Sequence, residues 1–355
     1  MPIPDQRPWL DRYDGVPPDF DLEHSSALAM FRAGCAAAPD SVAIQYFDGA
    51  TTRAELDAQS DALAVALREF GFGSGDRLAV YLQNVPQFLI CMLAAWKTGG
   101  LLVSINPMSR ARELGYLLSD SGAKVLVCLE HLFDEVARDV VPGTSVEVVL
   151  TTSELEFQSR NDPRLFANVT RQRHDLTRDL MEAIAEYRGQ TPPPVELHLD
   201  DIAFLTYTSG TTGVPKGAMN THRNVVFTAM VDRDFLRFQP GGSVFGLAPL
   251  FHITGLIGHI AVSFLAAMPL ISAYRFEPGV VSTLSLSTTR PTPLARLRLS
   301  TPCCCTRTSG VTTSVRSLPS TPAALPSPPQ RRRHSWPRPA NRCTTATGSP
   351  KRPRP

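Results

Sequence analysis

The chain has 355 residues, 43% of them hydrophobic, and a net charge of +2, enough for two or three domains and unremarkable on average. The average hides a break. The first 278 residues carry 22 basic and 33 acidic side chains, whereas the last 77 carry 13 basic side chains, no acidic ones and 13 of the 31 prolines. That split excludes one uniform globular fold across the whole length: two kinds of polypeptide meet near Pro278.

Residues 1–24 are rich in Pro and Asp and read as a surface arm. Apolar spacing predicts a helix over 25–38 and a strand over 42–46 that turns at Asp48-Gly49. Thr52-Arg-Ala-Glu55 is a capping box that opens an amphipathic helix, closed by Gly71-Phe-Gly-Ser-Gly75. A strand over 77–81, a helix over 86–97, a strand over 101–105, a helix over 110–118 and a strand over 124–128 follow. Strands alternating with helices point to βαβ units, an α/β fold with mainly parallel sheets flanked by helices. Residues 144–200 carry little periodic signal. Arg171, Arg173, Arg178 and Glu182 are expected on a solvated polar stretch, with a linker at Thr191-Pro-Pro-Pro194.

Cys35, Cys91 and Cys128 are far apart and lack metal-ligand spacing, so buried free thiols in a reducing, cytoplasmic setting are expected. The N-terminus lacks an apolar h-region, so no signal peptide is expected. The longest apolar run, Leu256 to Tyr274, has the length of a membrane span. Its small residues and Pro269 fit a buried helix leading into a core strand equally well.

The stretch around which the rest is organised is Thr206-Tyr-Thr-Ser-Gly-Thr-Thr-Gly-Val-Pro-Lys-Gly217. It follows an apolar run, Ile202-Ala-Phe-Leu205, and precedes a helical pattern after Thr221, giving an expected order of strand, loop, helix. Glycines let a backbone approach an anion, while hydroxyls and free N–H groups donate to phosphate oxygens. Lys216 adds a full positive charge. The spacing Gly210-x-x-Gly213-x-x-Lys216-Gly217 lacks the Gly-Lys-Ser/Thr ending of a Walker A loop. At the carboxyl end of a parallel strand, such a loop stands where α/β sheets bind ligands.

This stretch resembles the signature loop of the adenylate-forming (AMP-binding) enzymes: acyl-CoA synthetases, aryl-CoA ligases, luciferases and adenylation domains. The resemblance implies Thr208, Ser209, Gly210, Thr211, Thr212, Gly213, Lys216 and Gly217 as the ATP phosphate site, with Lys216 also catalytic. Asn84-x-Pro86, Ala95-x-Lys97-x-Gly99 and Asn106-Pro107 are similar to the family's early motifs, and read here as helix caps and turns. Ala248-Pro-Leu-Phe-His-Ile-Thr-Gly255 resembles its next motif. That implies a substrate-side role for His252 near the acid's carboxylate. Arg275-Phe276-Glu277-Pro278 resembles a family turn. The implied chemistry uses ATP, Mg2+ and CoA to convert a carboxylic acid, a fatty acid by preference, into its CoA thioester. Peripheral membrane association stays open. An aryl-CoA ligase or a carrier-protein adenylating enzyme is the alternative.

Beyond Pro278 helix and strand periodicity is expected to vanish, and residues 279–355 read literally as a disordered, Pro/Arg/Ser/Thr-rich tail. Shifting the reading frame by one base changes that picture. Thr321-Pro-Ala-Ala-Leu-Pro326 then permits Tyr-Ser-Gly-Gly-Ala-Pro, and the final stretch from Thr344 permits His-Asn-Gly-Tyr-Gly-Leu-Thr-Glu-Thr-Thr-Ala-Pro. Both resemble family motifs in the right order, the adenine-receiving turn and the segment whose Glu holds Mg2+. The expected domain plan is an arm over 1–24, a partial AMP-binding domain over 25–278 and an out-of-frame tail over 279–355. The small C-terminal domain is expected to be absent, no metal site is expected in this chain, and the chain is expected to be catalytically incomplete. A selected basic tail that binds nucleic acid or anionic surfaces is the competing reading. Such a tail has no reason to encode family motifs one base out of frame, and Trp336 is its only aromatic residue, which makes nucleic acid a poor partner.

Overall fold

The computed structural model describes residues 10–287 apart from Pro18, 209–212 and 239–240. Two sheets organise this part. The larger is built from β3 (Arg77–Tyr81), β4 (Leu101–Ser104), β5 (Val125–Leu129), β6 (Val148–Thr152), β7 (Arg178–Asp179), β8 (Ile202–Thr208) and β9 (Lys216–Thr221), in the order β7-β6-β5-β3-β4-β8-β9. Its strands run parallel except for the β8–β9 hairpin. The smaller sheet has the order β10-β11-β1-β2, from β1 (Val42–Tyr46), β2 (Gly49–Thr52), β10 (Val244–Gly246) and β11 (Leu270–Ser272). Only its β1–β2 pair is antiparallel, so the mainly parallel α/β expectation holds.

Local chemistry sets the helices. In α1 (Ala27–Ala37), Ser26 caps the first turn by accepting from the Ala29 N–H at 3.0 Å. α2 (Arg53–Glu69) opens on the anticipated capping box, with Glu55 N–H on Thr52 Oγ1 at 3.1 Å and Thr52 N–H on Glu55 Oε2 at 2.8 Å. α3 (Pro86–Lys97) is buried on every side, as a helix without a polar face must be. Each of its large apolar residues contributes about 1.5–3 kcal/mol by burial. Lys97 ends α3 with its side chain wholly enclosed, its ammonium 2.6 Å from Asp57 and 2.7 Å from Asp61 of α2. It is therefore a clamp between two helices rather than the cap or turn residue expected. Asn106 does form the expected turn, accepting from the Met108 N–H at 2.9 Å.

The structure decides three further expectations, correcting the first and the third. Residues 144–200 hold β6, β7 and the helix Leu180–Glu186, and their arginines are not a loose solvated row. Arg171 reaches Glu130 at 2.9 Å, Glu156 at 2.8 Å and Asp179 at 2.9 Å, tying the ends of β5 and β6 to β7. Arg173 pairs with Asp179 and Glu182, and the Arg178 guanidinium sits 4.8 Å from the Phe70 ring. Second, the run from Leu256 is a buried helix and then a strand: helix Ile253–Leu265, π-helical over Leu256–Ala261, leads to β11. No helix among the described residues is long and apolar enough to cross a membrane. Third, helical structure does not stop at Pro278. A helix spans Pro278–Ser287 and buries Val280, Val281 and Leu284. The rest of the tail lies outside the described residues.

The arm is anchored. From residue 10 onward it lies along the helix His222–Phe235, with Tyr13 against Phe235, Phe20 against Phe227 and Glu23 on Arg233. Cys91 and Cys128 are free and buried, and burial raises both thiol pKa values; Cys35 is only partly buried and is pushed up to about 11, chiefly by desolvation.

Candidate functional site

The signature loop joins β8 to β9, so the local order is strand, loop, strand, helix. The expected direct passage into a helix overlooked β9, whose sequence Lys-Gly-Ala-Met-Asn-Thr has no apolar alternation because the strand is a mostly exposed edge. Ser209, Gly210, Thr211 and Thr212 lie outside the described residues. Gly213 is exposed. Thr208 and Lys216 face each other across the hairpin, both exposed, and Tyr207 pairs with Gly217. A Cβ on Gly217 would come within 3.3 Å of the Tyr207 ring, so the absence of a side chain there is what seats the phenol. Among the described residues Lys216 has no ion-pair partner, which leaves its charge uncommitted.

His252 lies on the second segment, far away in sequence. Its position is set by buried neighbours. Asn84 donates to the Ala248 carbonyl at 3.2 Å and accepts from the Leu250 N–H at 2.8 Å, while the His259 Nε2 accepts from the Ala248 N–H at 3.1 Å. Asn84 thus ties the larger sheet to this segment and caps no helix; the N-cap of α3 is Val85. Gly255 closes the turn so tightly that a Cβ would sit 2.2 Å from the Pro249 carbonyl oxygen. His252 itself is exposed and caps the helix that follows, its Nδ1 accepting from the Thr254 N–H at 3.4 Å. A neutral ring then carries its proton on Nε2.

Both segments meet at one cleft of about 460 Å³, a small-ligand size, lined by Ser104, Asn106, Thr206, Thr208, Pro215 and His252 among others. It opens at the carboxyl ends of β4 and β8. After β4 the chain doubles back across β3 to form β5, and crevices beside such reversals are where open α/β sheets take ligands. Sequence reasoning singled out Thr208 and His252 here but missed Ser104, Tyr207 and Asn106 as lining residues. The signal was present: Asn106 follows a strand end by two positions, like the loop itself. Glu113 also lines the cleft, but its carboxylate already accepts from the Arg110 N–H at 3.3 Å. Among the described residues no group of three or more His, Cys, Asp or Glu gathers to hold a metal ion.

A parallel α/β sheet with a Thr/Ser/Gly-rich hairpin at its carboxyl edge is the architecture of adenylate-forming enzymes. The sequence matches the AMP-binding enzyme family over residues 31–292, and the chain belongs to that family. It is 28% identical over 285 residues to a long-chain-fatty-acid–CoA ligase of Bacillus subtilis (strain 168), covering 77% of this chain and 50% of that protein. With the enzyme of the same name from Escherichia coli O157:H7 it shares 33% over 263 residues, 70% of this chain and 46% of the other. Among solved structures, a long-chain-fatty-acid-CoA ligase from Archaeoglobus fulgidus superposes with a TM-score of 0.64 at 21% identity, covering 77% of this chain and 52% of that one. ATP-bound MatB from Rhodopseudomonas palustris gives 0.62 at 26% identity, over 76% and 49%. The chain spans about half the length of the curated relatives it matches.

Proposed function

We propose that the protein derives from an AMP-forming acid–thiol ligase acting on a fatty acid, and that the cleft at β4 and β8 is its adenylation site. The observation that carries this is that Thr208 and His252, from two segments that both resemble family motifs, line one cleft, with Lys216 the cross-strand partner of Thr208. In such a reaction an acid carboxylate oxygen attacks the α-phosphorus of ATP, the bond to the β-phosphate oxygen breaks and pyrophosphate leaves. The CoA thiolate then attacks the acyl carbon and AMP departs. Lys216 and the Thr208 hydroxyl serve the leaving β,γ-phosphates, where negative charge develops and a fixed cation and donor stabilise it. His252 sits on the acid side and offers the carboxylate an Nε2–H. The residues of the cleft fit the phosphates; they do not fit Mg2+, because its one carboxylate is engaged at a helix cap. No step is assigned to the metal or to CoA binding here. The three free thiols among the described residues favour a cytoplasmic setting.

We further propose that the tail is read out of frame from a point beyond Leu284, which the helix Pro278–Ser287 still buries, so that this chain retains phosphate contacts without turnover. Resequencing across codons 270–290 tests the frame. If a base is restored, the full-length product should catalyse pyrophosphate–ATP exchange that depends on a long-chain fatty acid, and Lys216→Ala should slow it by about 10²-fold. Exchange driven by benzoate instead would reassign it as an aryl ligase, and exchange with neither acid would overturn the reading. A verified present frame would leave the basic-tail alternative standing.

A further inference from the structure

The phosphate hairpin has an obvious mechanical weakness. β9 is the edge of the larger sheet, held on one side by β8 alone. Its charged residue, Lys216, is exposed, and so is Thr208 opposite it. A lysine on an unsupported edge spends its time over a wide volume, because its four-carbon stem is flexible. A site that needs that charge at one place requires a brace.

The brace is visible on α4 (Ala111–Ser121). The Tyr207 hydroxyl, from β8, donates to Asp120 Oδ2 at 2.7 Å. The Tyr116 hydroxyl lies 3.2 Å from Asp120 Oδ1 and 3.0 Å from the Pro215 carbonyl, and shares its one proton between these two acceptors. Tyr116 and Asp120 are one turn apart on α4, so a single helix face grips both limbs of the hairpin: β8 through Tyr207 and the chain entering β9 through Pro215. Gly217 completes the fit, since its missing side chain gives the Tyr207 ring a flat place to lie. The next cross-strand pair outward is Thr208 with Lys216. Desolvation first, and Asp120 next, raise the Tyr207 pKa, so the phenol stays a proton donor across the physiological range.

We propose that Asp120, held between the Tyr116 and Tyr207 hydroxyls, is a positioning device that sets Thr208 at the cleft and Lys216 across the hairpin from it. The inference rests on reading this hairpin as the phosphate site, and it adds residues from a helix that no motif singled out. Tyr116 and Asp120 touch the hairpin and do not line the cleft, so they are positioning residues that act through Tyr207 and Pro215.

The test uses the full chain and the variants Tyr116→Phe, Tyr207→Phe, their double mutant and Asp120→Ala. Inorganic tripolyphosphate, titrated calorimetrically, is the probe, and amide hydrogen exchange at Gly213, Val214, Lys216 and Gly217 reports the hairpin directly. Losing one exposed hydrogen bond to a carboxylate is expected to weaken tripolyphosphate about three- to tenfold and to speed those amides by a similar factor. Exchange at Ala203–Leu205 and the melting temperature should stay as in wild type. Asp120→Ala should fall between wild type and the double tyrosine variant, because the Tyr116–Pro215 bond survives the loss of Asp120. Unchanged exchange at Gly213–Gly217 in the double variant overturns the proposal, as does a loss of affinity that appears only with a loss of global stability. If wild type binds no tripolyphosphate yet the hairpin amides still respond, the phosphate reading fails and takes the site-setting role with it.

Discussion

Replacing Asn84 by alanine probes the joint between the two segments of the cleft. Asn84 is 3% exposed, and the groups it serves are equally enclosed, Ala248 at 4% and Leu250 at 0%. Truncation strands the buried Leu250 N–H and Ala248 carbonyl. A buried polar group left without its partner costs about 1–3 kcal/mol. The Leu250 bond at 2.8 Å is the stronger of the two, so about 2–4 kcal/mol is expected in total. The backbone bonds of residue 84, its N–H to the Tyr274 carbonyl and its C=O from the Ser272 hydroxyl, survive the change and limit the damage. Urea unfolding followed by tryptophan fluorescence, read near buried Trp96, should show the midpoint fall by roughly 1 M at unchanged slope. Asn84→Asp is the sharper variant. It keeps an acceptor for Leu250 but sets a carboxylate oxygen against the Ala248 carbonyl, so it should be no more stable than the alanine form. A loss below about 1 kcal/mol for alanine, or a neutral Asn84→Asp, would refute the claim that this side chain ties the segments together.

Three further outcomes are expected. Lys97→Met should cost about 2–4 kcal/mol in the same assay, below the full cost of breaking a buried pair because Asp57 is a third exposed; adding Asp57→Asn and Asp61→Asn should restore most of it. His222 accepts from the Ala27 N–H and lies edge-on to Trp96, and burial pushes its pKa down to about 4 from the ordinary 6.5. The unfolded chain therefore binds the proton first: the full contribution is present above pH 6.5 and is lost as pH falls toward 4, up to about 3 kcal/mol. The difference in unfolding free energy between wild type and His222→Gln, measured from pH 7.5 to 4, should carry that slope; a flat difference contradicts it. Gly255→Ala should cost at least about 3 kcal/mol or prevent folding, because the new methyl meets backbone. Gly258→Ala, with no foreign atom nearer than 3.8 Å, should shift the melting temperature little.

The alternation of apolar strands and capped helices through residue 129 was legible because those elements are buried locally and carry their own punctuation, as in Thr52-x-x-Glu55 and Pro86. β6 was missed although Val148-Val-Leu-Thr-Thr152 is a β-branched run, and β7 was missed because two residues make no period. The role of Arg171 could not be read at all, since its partners Glu130, Glu156 and Asp179 come together only when three strand ends are brought into line. For the cleft, Thr208 and His252 were visible as chemistry in short motifs, as was Lys216 across the hairpin. The side chains hydrogen-bonded to those segments, Asn84, Asp120 and Tyr116, were invisible in that part, because a hydrogen bond across the fold leaves no mark on local spacing.

The smaller sheet sets a timetable for synthesis. Ile44 of β1 pairs with Leu270 of β11, and β11 in turn carries β10. When the β1–β2 hairpin leaves the ribosome, its partner strand has not yet been made. At about 5–20 residues per second, roughly ten to forty-five seconds pass before it emerges. During that interval one side of β1, with Ala43, Ile44 and Tyr46 destined for the interior, has nothing to pair with. The segment most in need of a chaperone is therefore near the start of the chain, and a change that slows translation before residue 270 would lengthen its exposure without altering any residue of the folded protein.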